Sequence, residues 1–425
     1  MFRFIEHSYR GTAVAMLLCI GLVVCGGGTA HAEDQNGGAP GDWLATYLGA
    51  RTAGIGGAFV AAANEPISAV WNPAGLSLLS QNQVYAETAR LFENTSINGL
   101  SIAFPARSFP SFGLSILSLN SGEFERTNEL NEPMGQFSEG DMAFVLSASK
   151  SINPKFSLGA NVKVVRQSIE EFDAAGVGFD LGLIYQVTPS LRLGASMLNL
   201  GGPTLALRAV DESFPAEFRG GFAFQFFSGR GLVSGELNTR SGPGTSFHGG
   251  TEFMVYRGMA LRFGYAESSP TGGFSFNVQP DMRFDYAATD NELGVTHRFG
   301  ISYSFGGFYA SSQAQPPVFS PLGQQSVTKF HLQAKTRADA ERWVLGIEDK
   351  SGFNVRSFGG KGAPPAHVMW DGKDESGLPL PDGIYTYRLV VYDQEGREFT
   401  AHERKVEITT DGPQGKVPVF TQADK

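Results

Sequence analysis

Large apolar residues alternate strictly with small or polar ones over residues 221–226. Phe222, Phe224 and Phe226 fall on one face, Gly221, Ala223 and Gln225 on the other, with Arg219 just before them. The same period returns at 298–305, where Phe299, Ile301, Tyr303 and Phe305 oppose Arg298, Gly300, Ser302 and Ser304. A two-residue period predicts a strand. In a soluble sheet the apolar face turns inward and the polar face meets water. Here the polar face is mostly Gly, Ser and isolated Arg or Asp, and the apolar face is rich in Phe and Tyr. That division suits a barrel with lipid outside and a lumen inside.

The pattern persists. About fourteen runs, bounded to within a few residues, lie near 82–92, 98–106, 111–120, 141–151, 155–166, 175–187, 190–200, 217–228, 231–239, 246–255, 259–267, 272–278, 282–288 and 296–305. Odd-numbered connections read as longer and more polar (121–140, 167–174, 201–216, 289–295), even-numbered ones as tight turns (107–110, 152–154, 188–190, 257–258, 279–281). Outer-membrane barrels put short turns on the periplasmic side and long loops outside. An even strand count with this asymmetry predicts a barrel whose two ends are periplasmic. The expected fold is therefore all-β: a 14-stranded antiparallel transmembrane β-barrel, followed by a smaller C-terminal β-sandwich.

The first residues change the picture by adding a compartment. Arg3 and Arg10 precede an apolar core at 12–24, and Ala30-His31-Ala32 forms a small-residue cleavage site, so 1–32 reads as a secretory signal peptide. Cys25 invites a lipoprotein reading, but Val24 is not the small residue that modification wants before the cysteine. Both cysteines, Cys19 and Cys25, lie in this leader. The mature chain then has no disulfide framework, thiolate metal site or cysteine nucleophile. After Ala32 no apolar run approaches the roughly 20 residues of a spanning helix, so a membrane location requires a closed barrel.

The chain has 33 Lys plus Arg and 42 Asp plus Glu; without Arg3, Arg10 and Glu6 these become 31 and 41, a net charge of −10. Nucleic acid is not an expected partner. Segment style gives the remaining boundaries: an N-terminal hatch or plug segment at 33–80, the barrel at 81–308, a Gly/Ser/Gln/Pro-rich linker at 309–328, a soluble-looking domain at 329–412 and a tail at 413–425.

Two motifs bring families into view. Gly49, Arg51, Gly54, Gly56 and Gly57 stand in a glycine-rich stretch, followed by Asn72-Pro73-Ala74-Gly75. This resembles the amino-terminal segment of the FadL-like and PorV/PorQ outer-membrane proteins, and residues 282–287 and 296–299 resemble the end of a PorV-like barrel. The resemblance spans roughly 41–308 and implies fourteen strands with the glycine-rich segment plugging the lumen as a hatch. The residues themselves are also compatible with an ordinary loop before the first strand. Asn64-Glu65-Pro66 departs from the adjacent acids relatives often carry. In the C-terminal domain, 370–377 and 380–387 are similar to the immunoglobulin-like repeat of the flagellar hook-capping protein FlgD. Asp371, Asp374 and Glu375 invite a calcium reading, but Lys373 interrupts the spacing, and turn acids are the expectation.

No enzyme signature emerges, and no cofactor or metal is expected. His248, His297, His331, His367 and His402 are scattered, without a zinc motif, a nucleophile elbow or a P-loop. A Ser–His pair assembled only in space stays open. His297 lies on the apolar face of the last strand and reads as interfacial. Lys163, Asp180, Arg192, Arg219, Glu252, Arg262, Arg283, Asp285 and Arg298 all project from the polar faces of predicted strands. Such groups form either a network that locks the plug or a site for a ligand's carboxylate, and their mixed signs favour the network. The acidic run at 121–141 (Glu123, Glu125, Glu129, Glu132, Glu139, Asp141) reads as a solvated loop, or as a bridge through divalent cations to lipopolysaccharide.

Two functions fit. FadL-like relatives imply passive transport of a hydrophobic ligand through a hatch-gated lumen. PorV-like relatives imply a type IX secretion-type component that binds exported proteins, with a periplasmic or secretion-system partner reached through the C-terminal domain. A wholly soluble periplasmic β protein is the third reading.

Overall fold

The computed structural model describes residues 41–410, apart from 42, 45–47, 93–94, 108, 129, 207–210, 241–243, 257, 292–293 and 324. The expected signal peptide, the start of the hatch segment, Glu129 and the tail at 413–425 lie outside these residues.

Fourteen antiparallel strands close into a barrel. They are β1 (Asn82–Arg90), β2 (Ser96–Phe104), β3 (Ser111–Thr127), β4 (Pro133–Asn153), β5 (Phe156–Ile169), β6 (Phe172–Thr188) and β7 (Leu191–Leu200), then β10 (Glu217–Phe226), β11 (Gly231–Arg240), β12 (Gly244–Tyr256), β13 (Met259–Ala266), β14 (Ser269–Gln279), β15 (Met282–Asn291) and β16 (Gly294–Phe305). Each of the fourteen alternating runs lies on one of them. β1 closes the cylinder on β16, with Asn82 opposite Phe305. The chain therefore enters and leaves the barrel at one end, termed here the near end.

The phase is the one the alternation predicts. Phe218, Phe222 and Phe224 are 50%, 42% and 44% exposed on the outer wall, whereas Arg219 and Ala223 are each 1% exposed inside. Phe299, Ile301 and Tyr303 likewise face out while Arg298 and Ser302 are buried. The outer wall is thus a belt of aromatic and aliphatic side chains, a surface suited to lipid. A Phe222→Arg variant should lose about 2–4 kcal/mol of folded-state stability in bilayers. Urea titration in lipid vesicles measures it, and Ala223→Ser, on the inner wall, should cost far less.

Among the described residues no helix is long and apolar enough to cross a membrane.

The connections correct the expectation of long far-end loops. The acidic run is not a loop: β3 and β4 continue as a paired ribbon and turn only around 128–132, with Glu123 opposite Ser138. Residues 167–174 similarly continue β5 and β6 up to the pair Ile169–Phe172. Polar residues beyond the lipid still alternate and still pair their backbones, so ribbon length replaces loop length. Among the described residues, those between β7 and β10 (201–206 and 211–216) form a true excursion. It carries a small hairpin, β8 (Thr204–Ala206) with β9 (Asp211–Ser213), and buries Leu205 and Phe214 with Trp43 and Leu44 at the far end.

The segment expected as a linker is also structured. β17 (Tyr309–Gln315) and β18 (Val318–Phe319) belong to the C-terminal sheets, together with β19 (Thr328–Lys335), β20 (Ala340–Glu348), β21 (Asn354–Lys361), β22 (His367–Trp370), β23 (Gly383–Asp393), β24 (Glu398–Thr400) and β25 (Arg404–Ile408). One sheet runs β17-β19-β22 and the other β18-β25-β23-β20-β21, with β24 on β23. Ala310 and Ala314 turn into the shared core with Phe330, Leu345, Trp370, Tyr387 and Leu389. Alternation over 309–315, not composition, decides the state of that stretch. Asp374 accepts from the backbone of Ser376 and Leu378, and Asp371 pairs with Lys373 at 3.1 Å, so these acids build turns. The Tyr385 hydroxyl donates to the Pro381 carbonyl at 2.7 Å, pinning the entry to β23.

Candidate functional site

The lumen is filled by the segment before β1. It contains a one-turn helix, α1 (Ala50–Gly54), and the 3-10 turns Pro66–Val70 and Pro73–Leu78. Asn72 caps the last of these: its Oδ1 accepts from the Ala74 amide at 3.1 Å, and Pro73 occupies the first position, where no amide donor is needed. Asn72 Nδ2 also donates to Val60 O inside the segment and to Leu183 O on β6, at 2.8 and 3.0 Å. The Asn-Pro-Ala-Gly turn thus joins plug and wall.

Glycine on the inner wall lets the two backbones touch. A Cβ on Gly264 would lie 2.2 Å from the Gly56 nitrogen, and one on Gly159 would lie 2.3 Å from the Ala74 nitrogen. Gly56 itself has φ +67, a conformation other residues rarely adopt, and its carbonyl meets His248 Nδ1 at 2.8 Å.

Charged side chains tie the plug to the wall. Arg51 Nε and Nη2 donate to the two oxygens of Glu252 at 2.8 and 3.0 Å, and Nη1 donates to Asn64. Arg262 Nε donates to the same Glu252 at 2.6 Å and Nη2 to Ser275 at 3.0 Å. Its Nη1 stands 3.1 Å from Asp285 Oδ1, an ion-pair contact not aligned as a hydrogen bond. Arg283 bridges Asp285 at 2.8 Å and Glu65 of the plug at 2.7 Å. Three guanidiniums thus meet three carboxylates, which leaves no net charge in this part of the lumen.

Two further groups repeat the arrangement. Arg219 lies 2.5 Å from Glu217 and 3.5 Å from Glu236, and its guanidinium stacks 4.2 Å from the Trp71 ring centre in the plug. Glu236 accepts from the Phe59 and Val60 amides, both at 2.8 Å. Lys163 pairs with Asp180 at 2.7 Å, while Asn161 donates to Asp180 and to the Ala69 carbonyl. Arg298, 2% exposed, donates to Thr289. Glu87 accepts from the Gly49 amide at 2.7 Å, and the Tyr85 hydroxyl accepts from Ala50 at 3.0 Å.

Eight of the nine expected lumen charges therefore sit inside among polar partners. Arg192 stands apart: it lines a cavity at the near end and makes no ion pair among the described residues. Sequence reading missed Glu65, Glu87, Glu217 and Glu236. Glu87 and Glu236 share the inward phase of Tyr85 and Ser234, which strand parity alone would have flagged. His297 is exposed on the outer wall, where its Nδ1 lies 2.8 Å from the Tyr286 hydroxyl. Among the described residues no group of His, Cys, Asp and Glu could hold a metal ion.

The C-terminal domain meets the near end through Arg337. Its guanidinium donates to the Ser77 carbonyl of the plug and, at 3.2 Å, to Ser111 Oγ at the start of β3. Arg107 also reaches Asp339 at 2.6 Å.

Residues 319–395 match the family model of the FlgD Ig-like domain. No curated protein matches the chain. The barrel is similar in fold to solved outer-membrane proteins. The Ralstonia pickettii toluene transporter TbuX is 17% identical with a TM-score of 0.47, over 62% of this chain and 99% of that one. The Pseudomonas putida toluene transporter TodX is 17% identical with a TM-score of 0.47, over 60% and 97%. A Pseudomonas aeruginosa FadL homologue is 13% identical with a TM-score of 0.42, over 60% and 97%.

Proposed function

We propose that this chain is an outer-membrane channel through which small hydrophobic molecules pass passively, gated by displacement of its N-terminal plug. One observation carries the reading. The plug fills the lumen, yet among the described residues none of 49–79 pairs as a strand with the wall; its ties are side-chain hydrogen bonds and ion pairs. Such ties can be exchanged for water without breaking the barrel's own ladders. At the far end Trp43, Leu44, Leu205 and Phe214 pack into a buried apolar cluster, a lining that a hydrophobic solute meets once the plug shifts. On this reading the near end and the C-terminal domain face the periplasm, in keeping with the secretory leader and with both barrel ends lying together.

Uptake of radiolabelled toluene by cells expressing the full chain should exceed that of cells with an empty vector, without added energy. Equal uptake would remove the transport reading. A second reading is a secretion-type role in binding exported proteins, of the PorV/PorQ kind, and the folded domain at the near end favours it. It predicts protein partners that co-purify with the full chain and are lost when residues after 308 are removed.

A further inference from the structure

Among the described residues most lumen charges have a partner of opposite sign, whereas cations gather at the near end. A cavity of about 380 Å³ lies where the near end of the barrel, the end of the plug and the C-terminal domain meet. Lys155, Arg192, Arg337 and Arg397 line it against one carboxylate, Glu398, which itself accepts from Thr400. Arg397 has its own partners in Asp393 and Glu395. Arg337 has only neutral acceptors, the Ser77 carbonyl and Ser111 Oγ. Burial, with Arg397 close by, pushes its guanidinium down to about 10 although Asp393 opposes the shift. Among the described residues Arg192 has no carboxylate partner, in contrast to Arg51, Arg219, Arg262 and Arg283 deeper in the barrel. A cation withdrawn from water without a counter-charge costs free energy that a bound anion returns.

Beyond these charges the wall is part polar, made by serines with Asn64 and Gln186, and part apolar. Leu79, Ile184, Phe308 and Phe399 face the same space, and its volume lies within the range of small-molecule sites, roughly 300–1,000 Å³. Inorganic phosphate would leave these apolar residues uncovered, and a neutral hydrocarbon would leave the arginines unanswered. We propose that this cavity binds a small amphipathic organic anion, a carboxylate on an aromatic or short aliphatic body. The carboxylate sits between Arg192 and Arg337, where a planar guanidinium accommodates both oxygens. The body lies against Phe308 and Phe399. Because barrel, plug and domain each supply part of the wall, occupancy favours the docked domain. The site does not depend on passage through the lumen.

Isothermal titration of the full chain in maltoside micelles tests it, with 4-phenylbutyrate, 4-phenylbutanol and inorganic phosphate as probes and empty micelles as blanks. Phenylbutyrate should bind saturably, and the alcohol and phosphate at least about tenfold more weakly, a difference of 1.4 kcal/mol or more. Arg192→Gln should weaken phenylbutyrate by a similar factor, Lys155→Gln by less, and Arg166→Gln, an exposed far-end residue paired with Asp173, not at all. Heat-modifiable migration verifies folding of each variant. Absence of saturable phenylbutyrate binding, equal binding of the alcohol or of phosphate, or an unchanged affinity in folded Arg192→Gln would overturn the proposal. Toluene uptake without phenylbutyrate binding would refute this site alone, and the reverse would refute only the transport reading.

Discussion

Cells expressing the Gly264→Ala variant should become sensitive to large hydrophilic antibiotics that the outer membrane normally excludes. A Cβ at this position would lie 2.2 Å from the Gly56 nitrogen and 2.4 Å from the Ile55 carbonyl carbon. Both atoms belong to one peptide of the plug, so backbone must yield and the plug must shift, and overpacking of this kind costs about 1–3 kcal/mol. Gly272→Ala is the matched control, since the nearest atom to its added Cβ would be the Arg262 carbonyl at 3.8 Å. The same methyl group, one wall residue away in register from a tight contact, should leave sensitivity unchanged. Disc assays on cells with equal amounts of folded barrel make the comparison. Equal sensitivity of the two variants would mean that the contact between Gly264 and the plug does not hold the lumen shut.

The second large effect is on stability. Arg262→Met removes the cation shared by Glu252 and Asp285, leaving Asp285 Oδ1 without its ion-pair partner in a site that is 0% exposed. Breaking a buried pair from one side costs about 3–5 kcal/mol, more than a charge placed at the lipid face. The midpoint of urea unfolding should therefore drop steeply, and the heat-modifiable band should be lost at lower temperature. If the barrel kept its stability and only uptake of a ligand fell, these charges would be a binding site rather than a lock. Arg51 keeps its two bonds to Glu252 in this variant, so the plug end of the network gives a graded rather than complete loss.

The barrel was legible because its code is local. Phe222 beside Ala223 states which way each points, and the statement repeats in most staves with no need to know the neighbours. The lengths of β3 and β4 were not legible, because beyond the lipid the outward face becomes polar and the contrast between faces fades while backbone pairing continues. The same limit hid the strands at 309–319, where Ser and Gln alternate with Ala. The plug contacts lie further from any local signal. Arg51 and Glu252 are 201 residues apart, and nothing in a non-repetitive glycine-rich segment fixes which stave it meets. Inward phase could assign Glu236 to the lumen, but not to the Phe59 and Val60 amides. Glu65 read as a departure from a family pattern, yet it is the carboxylate that Arg283 grips.

The account rests on motion of the plug relative to the wall. The Leu76 side chain of the plug touches Gly113 of β3, where an added Cβ would lie 2.7 Å from Leu76 Cδ1, so Leu76→Cys with Gly113→Cys is a pair to cross-link by oxidation. Residues 33–425 contain no cysteine of their own. Toluene uptake by cells carrying this pair should fall to the empty-vector level after oxidation and return on adding a membrane-permeant reductant, with either single cysteine unaffected. Undiminished uptake in the fully cross-linked protein would contradict a plug-gated path.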